Sequence, residues 1–204
     1  MISKKNILLK KIYFNYLKNP DKIIISDNQK SLSWREIINY SIHYSLKFSK
    51  IKNKYVPIIV NRRVETIIVI LALVLSNKVF CPISSAIPPK RKKLILKLLN
   101  TNHLIDCSKI EVSKKIKTQK KNFNHLKNFF IKDNLMNEFY ILFTSGSTGD
   151  PKGVKLSFEN ILNTIIWSKT YINWNKKDKI GIATQFSFDL SIFDVICYVG
   201  DFKR

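Results

Sequence analysis

The chain has 204 residues, 45% of them hydrophobic, and a formal net charge of +22 from 36 Lys and Arg against 14 Asp and Glu. That length gives one domain, or one large part of a domain, with a sizeable core. The three cysteines (Cys81, Cys107, Cys197) and three histidines (His43, His103, His125) are scattered and form no metal or redox spacing. The apolar run Ile67 to Leu75 is far short of the roughly 20 residues that span a bilayer. Ile7-Leu8-Leu9 is cut off by Lys10-Lys11, so no secretory signal is visible and a cytoplasmic, soluble chain is expected.

In chain order, Lys22 to Ser26 is a short strand, followed by a turn at Asp27-Asn28. Ser33-Trp34-Arg35-Glu36 has capping-box spacing and predicts a helix from Trp34 to about Phe48. Tyr55 to Val60 is a continuous apolar strand of the buried kind. Val64 to Leu75 is a helix apolar nearly all round, which implies burial. Val79 to Ile83 is the next strand, and Pro88-Pro89 opens a helix to about Leu99, since proline is tolerated in a first turn. His103 to Asp106 is a short strand. Residues 108–135, rich in Lys and Asn, break the rhythm and suggest a variable surface excursion. Glu138 to Phe143 and Val154 to Leu156 are strands on either side of a loop. Ser157 caps a helix from Phe158 to about Tyr171, Ile180 to Thr184 is a strand, and Leu190 to Val199 is a helix. Repeated βα units of this length predict an α/β fold with a largely parallel sheet flanked by helices, with ligands beyond the carboxyl ends of strands.

The loop after Phe143 carries the chemistry. Leu142 to Val154 holds four hydroxyl residues, a lysine and three of the chain's 5 glycines, where roughly 7% glycine, about 14, is usual for this length. Glycine permits tight turns and close approach to a ligand, and hydroxyls with a lysine suit polyphosphate oxygens. The Walker A spacing fails because Pro151 stands at its second glycine and Gly153 follows Lys152. The dinucleotide spacing G-x-G-x-x-G fails as well. A plain Ser/Gly surface turn remains the alternative for composition alone.

Thr144 to Gly153 resembles the phosphate loop of the adenylate-forming superfamily (acyl-CoA synthetases, luciferases, amino-acid adenylation domains of nonribosomal peptide synthetases), whose pattern is T-S-G-[ST]-T-G-x-P-K-G. Other segments resemble the same family in the same order. They are Leu32-Ser33-Trp34-Arg35-Glu36-Ile37, Leu75 to Ile83 with the usual glycine replaced, Pro88-Pro89-Lys90-Arg91, and Val154 to Asn160 with Phe158 where histidine is frequent. Phe188-Asp189-Leu190-Ser191 matches the F-D-x-S of the amino-acid-activating branch and of D-alanine carrier-protein ligases. The resemblance runs from about residue 20 to the C-terminus.

The resemblance implies ATP and Mg2+ as cofactors and the N-terminal part of an adenylate-forming large domain. Thr144, Ser145, Gly146, Ser147, Thr148, Gly149 and Gly153 would cradle the phosphates. Lys152 would neutralise the leaving pyrophosphate, and Thr148 would stand close to the metal; no dedicated carboxylate for a metal is visible. Asp189 would pair with the substrate's α-ammonium, and Leu190 and Phe193 would line a pocket for a small or apolar side chain. For Lys152 a solvated surface lysine is the alternative, and for Asp189 a helix N-cap. An amino acid, ATP, a phosphopantetheinyl carrier protein and a complementary C-terminal polypeptide are the implied partners.

The family's adenine segment (Y-G-P-T-E), ribose segment (Y-x-T-G-D) and small lid domain have no counterpart in the 204 residues. The expectation is a fragment or one part of a split enzyme that does not complete amino-acid adenylation alone, with an exposed sheet edge and low solubility. Two other functions remain open: an acyl-CoA synthetase-like fragment, against which Asp189 argues, and a non-enzymatic basic module that binds polyanions. The lysines are spread along the chain and arginine is sparse, which argues against a nucleic-acid surface.

Overall fold

A computed structural model describes residues 4–112, 137–145, 150–172 and 178–199. Its elements in chain order begin with α1 (Lys4–Lys18), β1 (Ile23–Ser26), β2 (Ser31–Ser33), α2 (Trp34–Phe48), β3 (Tyr55–Val60) and α3 (Val64–Leu75). There follow β4 (Val79–Ser84), α4 (Pro89–Leu98), β5 (Ile105–Asp106) and a 3-10 turn at Cys107–Lys109. The remainder are β6 (Glu138–Ser145), β7 (Pro151–Ser157), α5 (Phe158–Tyr171) and α6 (Asp189–Val199). Five strands form one sheet in the order β5-β3-β4-β6-β7, and β1-β2 is a separate antiparallel pair. The larger sheet is parallel except for β7, which runs back along β6.

Alternation of side chains sorts the layers. Val56, Ile58 and Val60 of β3 and Phe80 of β4 enter the main core with α2, α3, α5 and α6. Tyr55 and Ile59 of β3, with Val79, Cys81 and Ile83 of β4, face the other way, under Ile95 and Leu99 of the α4 region. All twelve residues of α3 are buried, and each fully buried Val, Ile or Leu contributes about 1.5–3 kcal/mol. Burial pushes the thiols of Cys81 and Cys107 up to about 12, which fits packing residues.

Capping is partly local and partly supplied from a distance. Ser33 and Glu36 form the expected box at α2, and Ser157 with Asn160 forms one at α5. The start of α3 has no side-chain cap of its own. Asp27, in the β1–β2 turn, accepts from the Val64 N–H at 3.1 Å and from Arg63 Nε at 3.0 Å. Burial opposes ionisation of Asp27, but the N–H groups of Gln29, Lys30 and Val64, with Arg63, outweigh it and hold the carboxyl below its ordinary range.

Sequence and structure part in four places. Helix α1 is not foreseen. Its buried Leu9, Ile12 and Tyr16 lie at helical spacing among lysines, and packing of that stripe against α2 and α5 supplies what propensity does not. Strand β2 is also missed. Ile180 to Thr184 is no strand, since it finds no ladder partner among the described residues. Strands β6 and β7 run two to three residues further toward the loop than their apolar stretches suggest, because they pair with each other up to Ser145 and Pro151. Most of the 108–135 excursion, residues 113–135, lies outside the described residues.

Candidate functional site

The apolar run of β6 anchors a hairpin whose far end is polar. Phe80 of β4 pairs with Tyr140, while β7 accompanies β6 along its length. Phe139 is the extra residue of a bulge between Glu138 and Tyr140, so Phe139 and Tyr140 both enter the main core. Beyond the bulge the alternation resumes. Tyr140, Leu142 and Thr144 share one face, and Ile141 and Phe143 take the other.

At the open end Thr144 stands directly across from Lys152, and Ser145 across from Pro151. Both Thr144 and Lys152 are exposed. The Thr144 hydroxyl lies 3.5 Å from the Lys152 carbonyl oxygen, a long contact that leaves it available to another acceptor. Among the described residues no carboxylate pairs with the Lys152 ammonium. Gly146, Ser147, Thr148 and Gly149 lie outside the described residues, as does the Ser145 side chain.

Gly153 has a reason of its own. It lies across from Phe143, and a Cβ there would stand 3.2 Å from Ile141 Cγ2 and 3.3 Å from the Phe143 ring. Its missing side chain admits the two apolar residues that cover this stretch of the sheet.

Asp189 is the first residue of α6 and is exposed, and its Oδ1 accepts from the Leu190 N–H at 2.8 Å. Burial raises the pKa of the Tyr140 phenol, and the nearby charge of Asp189 raises it further. Tyr140 shares the face of β6 with Thr144, about 13 Å along the strand at roughly 3.3 Å per residue. Sequence reasoning missed Tyr140, and the period-two pattern Tyr140-Leu142-Thr144 is the signal that finds it.

Ser191 was also matched without a role. It is fully buried, and its hydroxyl lies 3.0 Å from the Gln185 carbonyl and 2.7 Å from the Phe188 carbonyl. It ties down the turn that presents Asp189. Leu190 is 60% exposed, whereas Phe193 is half-buried against the main core, so the two do not close a pocket among the described residues. A cavity of about 780 Å3 beside β1 and one of about 280 Å3 at the end of β3 are lined by neither of them, nor by Thr144, Lys152 or Asp189.

The described donors on the hairpin end, the Thr144 hydroxyl and a lysine ammonium with no carboxylate partner among the described residues, fit a polyphosphate. Among the described residues no group of three or more His, Cys, Asp or Glu side chains could hold a metal ion. No helix among them is long and apolar enough to cross a membrane.

Residues 15–200 match the AMP-binding enzyme family. Tyrocidine synthase 3 of Brevibacillus parabrevis is 27% identical over 191 residues, covering 87% of this chain and 3% of that protein. The N-terminal subdomain of NpsA from Klebsiella oxytoca, solved with 3-hydroxyanthranilyl-AMSN, superposes with a TM-score of 0.71 at 20% identity, over 96% of this chain and 51% of that one. The Vibrio cholerae adenylation domain AlmE, solved with glycyl-adenosine-5'-phosphate, gives 0.76 at 17% identity, over 98% of this chain and 44% of that one. The chain therefore spans about half the length of these solved relatives and a small share of the synthase.

Proposed function

Because this chain belongs to the AMP-binding enzyme family, we propose that the open end of the β6–β7 hairpin holds the polyphosphate of ATP for adenylation of an amino-acid carboxylate. In that reaction a carboxylate oxygen bonds to the α-phosphorus, and the bridging oxygen leaves with its electron pair as part of pyrophosphate. Negative charge grows on the leaving group, so positioning and electrostatics are what the protein supplies.

The observation that carries this reading is the pairing of Thr144 with Lys152 at the exposed end of the hairpin. It sets a hydroxyl and an ammonium side by side where the next residues are Ser, Thr and Gly. Thr144, Ser145, Gly146, Ser147, Thr148 and Gly149 wrap the phosphates, and Lys152 neutralises the departing pyrophosphate. Gly153 serves the loop from below, by letting β7 lie close over Ile141 and Phe143. Mg2+ bound with ATP would supply charge neutralisation on the phosphates, and Thr148 is the residue of this chain that would stand close to it.

Asp189 meets the substrate's α-ammonium, and Leu190 and Phe193 border its side chain. The glycyl adenylate bound to AlmE supports an amino acid over a fatty acid, which has no ammonium for an aspartate to face. A carrier protein is the acceptor. Residues 1–204 form the N-terminal part of an adenylating region. By themselves these residues bind MgATP without completing amino-acid-dependent pyrophosphate exchange.

Calorimetry of the folded chain with millimolar MgATP tests this, with Lys152→Ala in parallel. Heat from the parent and loss of it in the variant are expected. No heat from either protein overturns the reading, and robust amino-acid-dependent exchange by residues 1–204 overturns the division of labour.

A further inference from the structure

Two stretches of backbone face each other across the cleft of about 780 Å3. One is β1, whose residues 23–26 all line it. Successive side chains of a strand point to opposite faces, so a cavity that touches four residues in a row is bounded by the strand's edge. Strand β1 pairs with β2 on its other side and has no second partner among the described residues. The facing stretch is residues 179–182, again consecutive, and outside any ladder. Between them the floor is apolar and formed by Val64, Ile67, Phe186 and Val195. Among the described residues no strand pairs with the free edge of β1 or with residues 179–182, so backbone N–H and C=O groups along both borders are open to a ladder partner.

Gly181 adds an independent observation. The chain uses only 5 glycines. A Cβ at Gly181 would meet nothing within 4 Å, and its backbone is not left-handed. Neither a turn nor a clash within the chain accounts for it. A glycine with open space above it leaves room for the close approach of another backbone.

We propose that this cleft receives one β-strand, inserted between β1 and residues 179–182 and supplied by polypeptide outside residues 1–204, with apolar and acidic side chains in alternation. The apolar floor takes one face of that strand. The other face meets a lining in which Arg62, Arg63 and Lys179 stand against Asp27 and Asp194. Asp27 and Arg63 engage each other, which leaves Arg62 and Lys179 against Asp194 in the lining, and the whole chain carries +22, so acidic residues are favoured there. Polypeptide to supply the strand exists in the solved relatives, since this chain covers only 51% of the NpsA subdomain and 44% of AlmE. Main-chain pairing provides the affinity and the alternate side chains the specificity, as in other strand additions.

Hydrogen exchange of residues 1–204, read by mass spectrometry without nucleotide, separates this proposal from the proposed function. The probe is a short peptide alternating Glu with Val or Ile. It is compared with the same peptide N-methylated at alternate residues, which cannot form a ladder, and with a Lys-for-Glu version. The acidic peptide is expected to slow exchange at residues 23–26 and 179–182 by about tenfold or more. The N-methylated peptide gives no protection and the basic one gives less. Gly181→Phe, placed in open space, keeps the thermal midpoint and loses the protection. The proposal is overturned if millimolar acidic peptide gives no protection, if the N-methylated peptide protects equally, or if Gly181→Phe binds like the parent. Protection that rises with protein concentration in the absence of peptide overturns it too, because a second copy would then fill the cleft.

Discussion

Two lysines three residues apart on β7 have opposite surroundings. Lys155 reaches Glu138 at 3.3 Å and the Tyr55 hydroxyl at 3.1 Å, and Lys54 completes the group with a 2.7 Å contact to Glu138. Beside this cluster the bulged Phe139 packs 4.4 Å from Phe158. Lys152, at the other end of the same hairpin, faces solvent, with no carboxylate partner among the described residues. One end of the hairpin is tied into the fold and the other is held out from it. In a chain with 36 basic residues, composition cannot tell these lysines apart; strand register and neighbouring charge can.

The widest separation between the two ends is in stability. Phe139 is 1% exposed and touches Phe80, Tyr140 and Phe158. Phe139→Ala is expected to cost about 3–5 kcal/mol. Thr144→Ala, at the open end, is expected to stay within about 0.5 kcal/mol. Urea unfolding of both variants measures the contrast, and equal losses would erase it. Next in size is binding. Lys152→Ala leaves the urea midpoint unchanged and weakens MgATP by about 1.5–3 kcal/mol, the usual value of a hydrogen bond to a charged group. That is roughly ten- to a hundredfold in Kd. Lys155→Ala has the reverse signature, with MgATP affinity retained and some stability lost.

Much of the tied-in region was legible in the sequence. Helix α2 was readable from the Ser33–Glu36 box and α5 from the cap at Ser157, while the unbroken apolar run of α3 announced burial on every side. These signals are local, and tertiary packing agrees with them. What was not legible depends on distant partners. Leu9, Ile12 and Tyr16 make a helix only because α2 and α5 receive them, and Ile180 to Thr184 finds no ladder partner among the described residues. At the site, the phosphate motif and Asp189 could be picked out by resemblance. The Ser191 hydroxyl that holds its turn could not, since it acts through contacts with the Gln185 and Phe188 carbonyls that only the fold creates.

Gly153 sits between the two regions and sharpens the boundary. A methyl group there must displace Ile141 and Phe143 by a few tenths of an ångström, and Ile141 is 3% exposed. Gly153→Ala is expected to cost about 1 kcal/mol, the lower end for overpacking. If its role is to seat β7 on the sheet, MgATP affinity at a temperature well below unfolding changes by less than about twofold, or 0.4 kcal/mol. A large loss of affinity with unchanged stability would move Gly153 into the phosphate cradle itself.

The smallest effect tests the tied end through pH. The hydrogen bond from Lys54, then those from Tyr55 and Lys155, hold the Glu138 carboxyl below its ordinary value. A carboxyl depressed in the folded state stabilises above its unfolded pKa, near 4.3, and loses that contribution as pH falls through the lower folded value. Glu138 is 25% exposed and its lysine partners 41% and 55%, so solvent screening limits the contribution to about 0.5–1 kcal/mol. Glu138→Gln should therefore trail the parent by that amount at pH 7, and the gap should close between about pH 5 and pH 3. Added salt should shrink it at neutral pH. Urea melts across that range decide the matter. Lys152→Ala, measured alongside, should follow the parent's acid limb throughout, because the cation it removes has no carboxylate partner among the described residues; a limb that shifted with Lys152 would mean that the open end is neutralised within the fold after all.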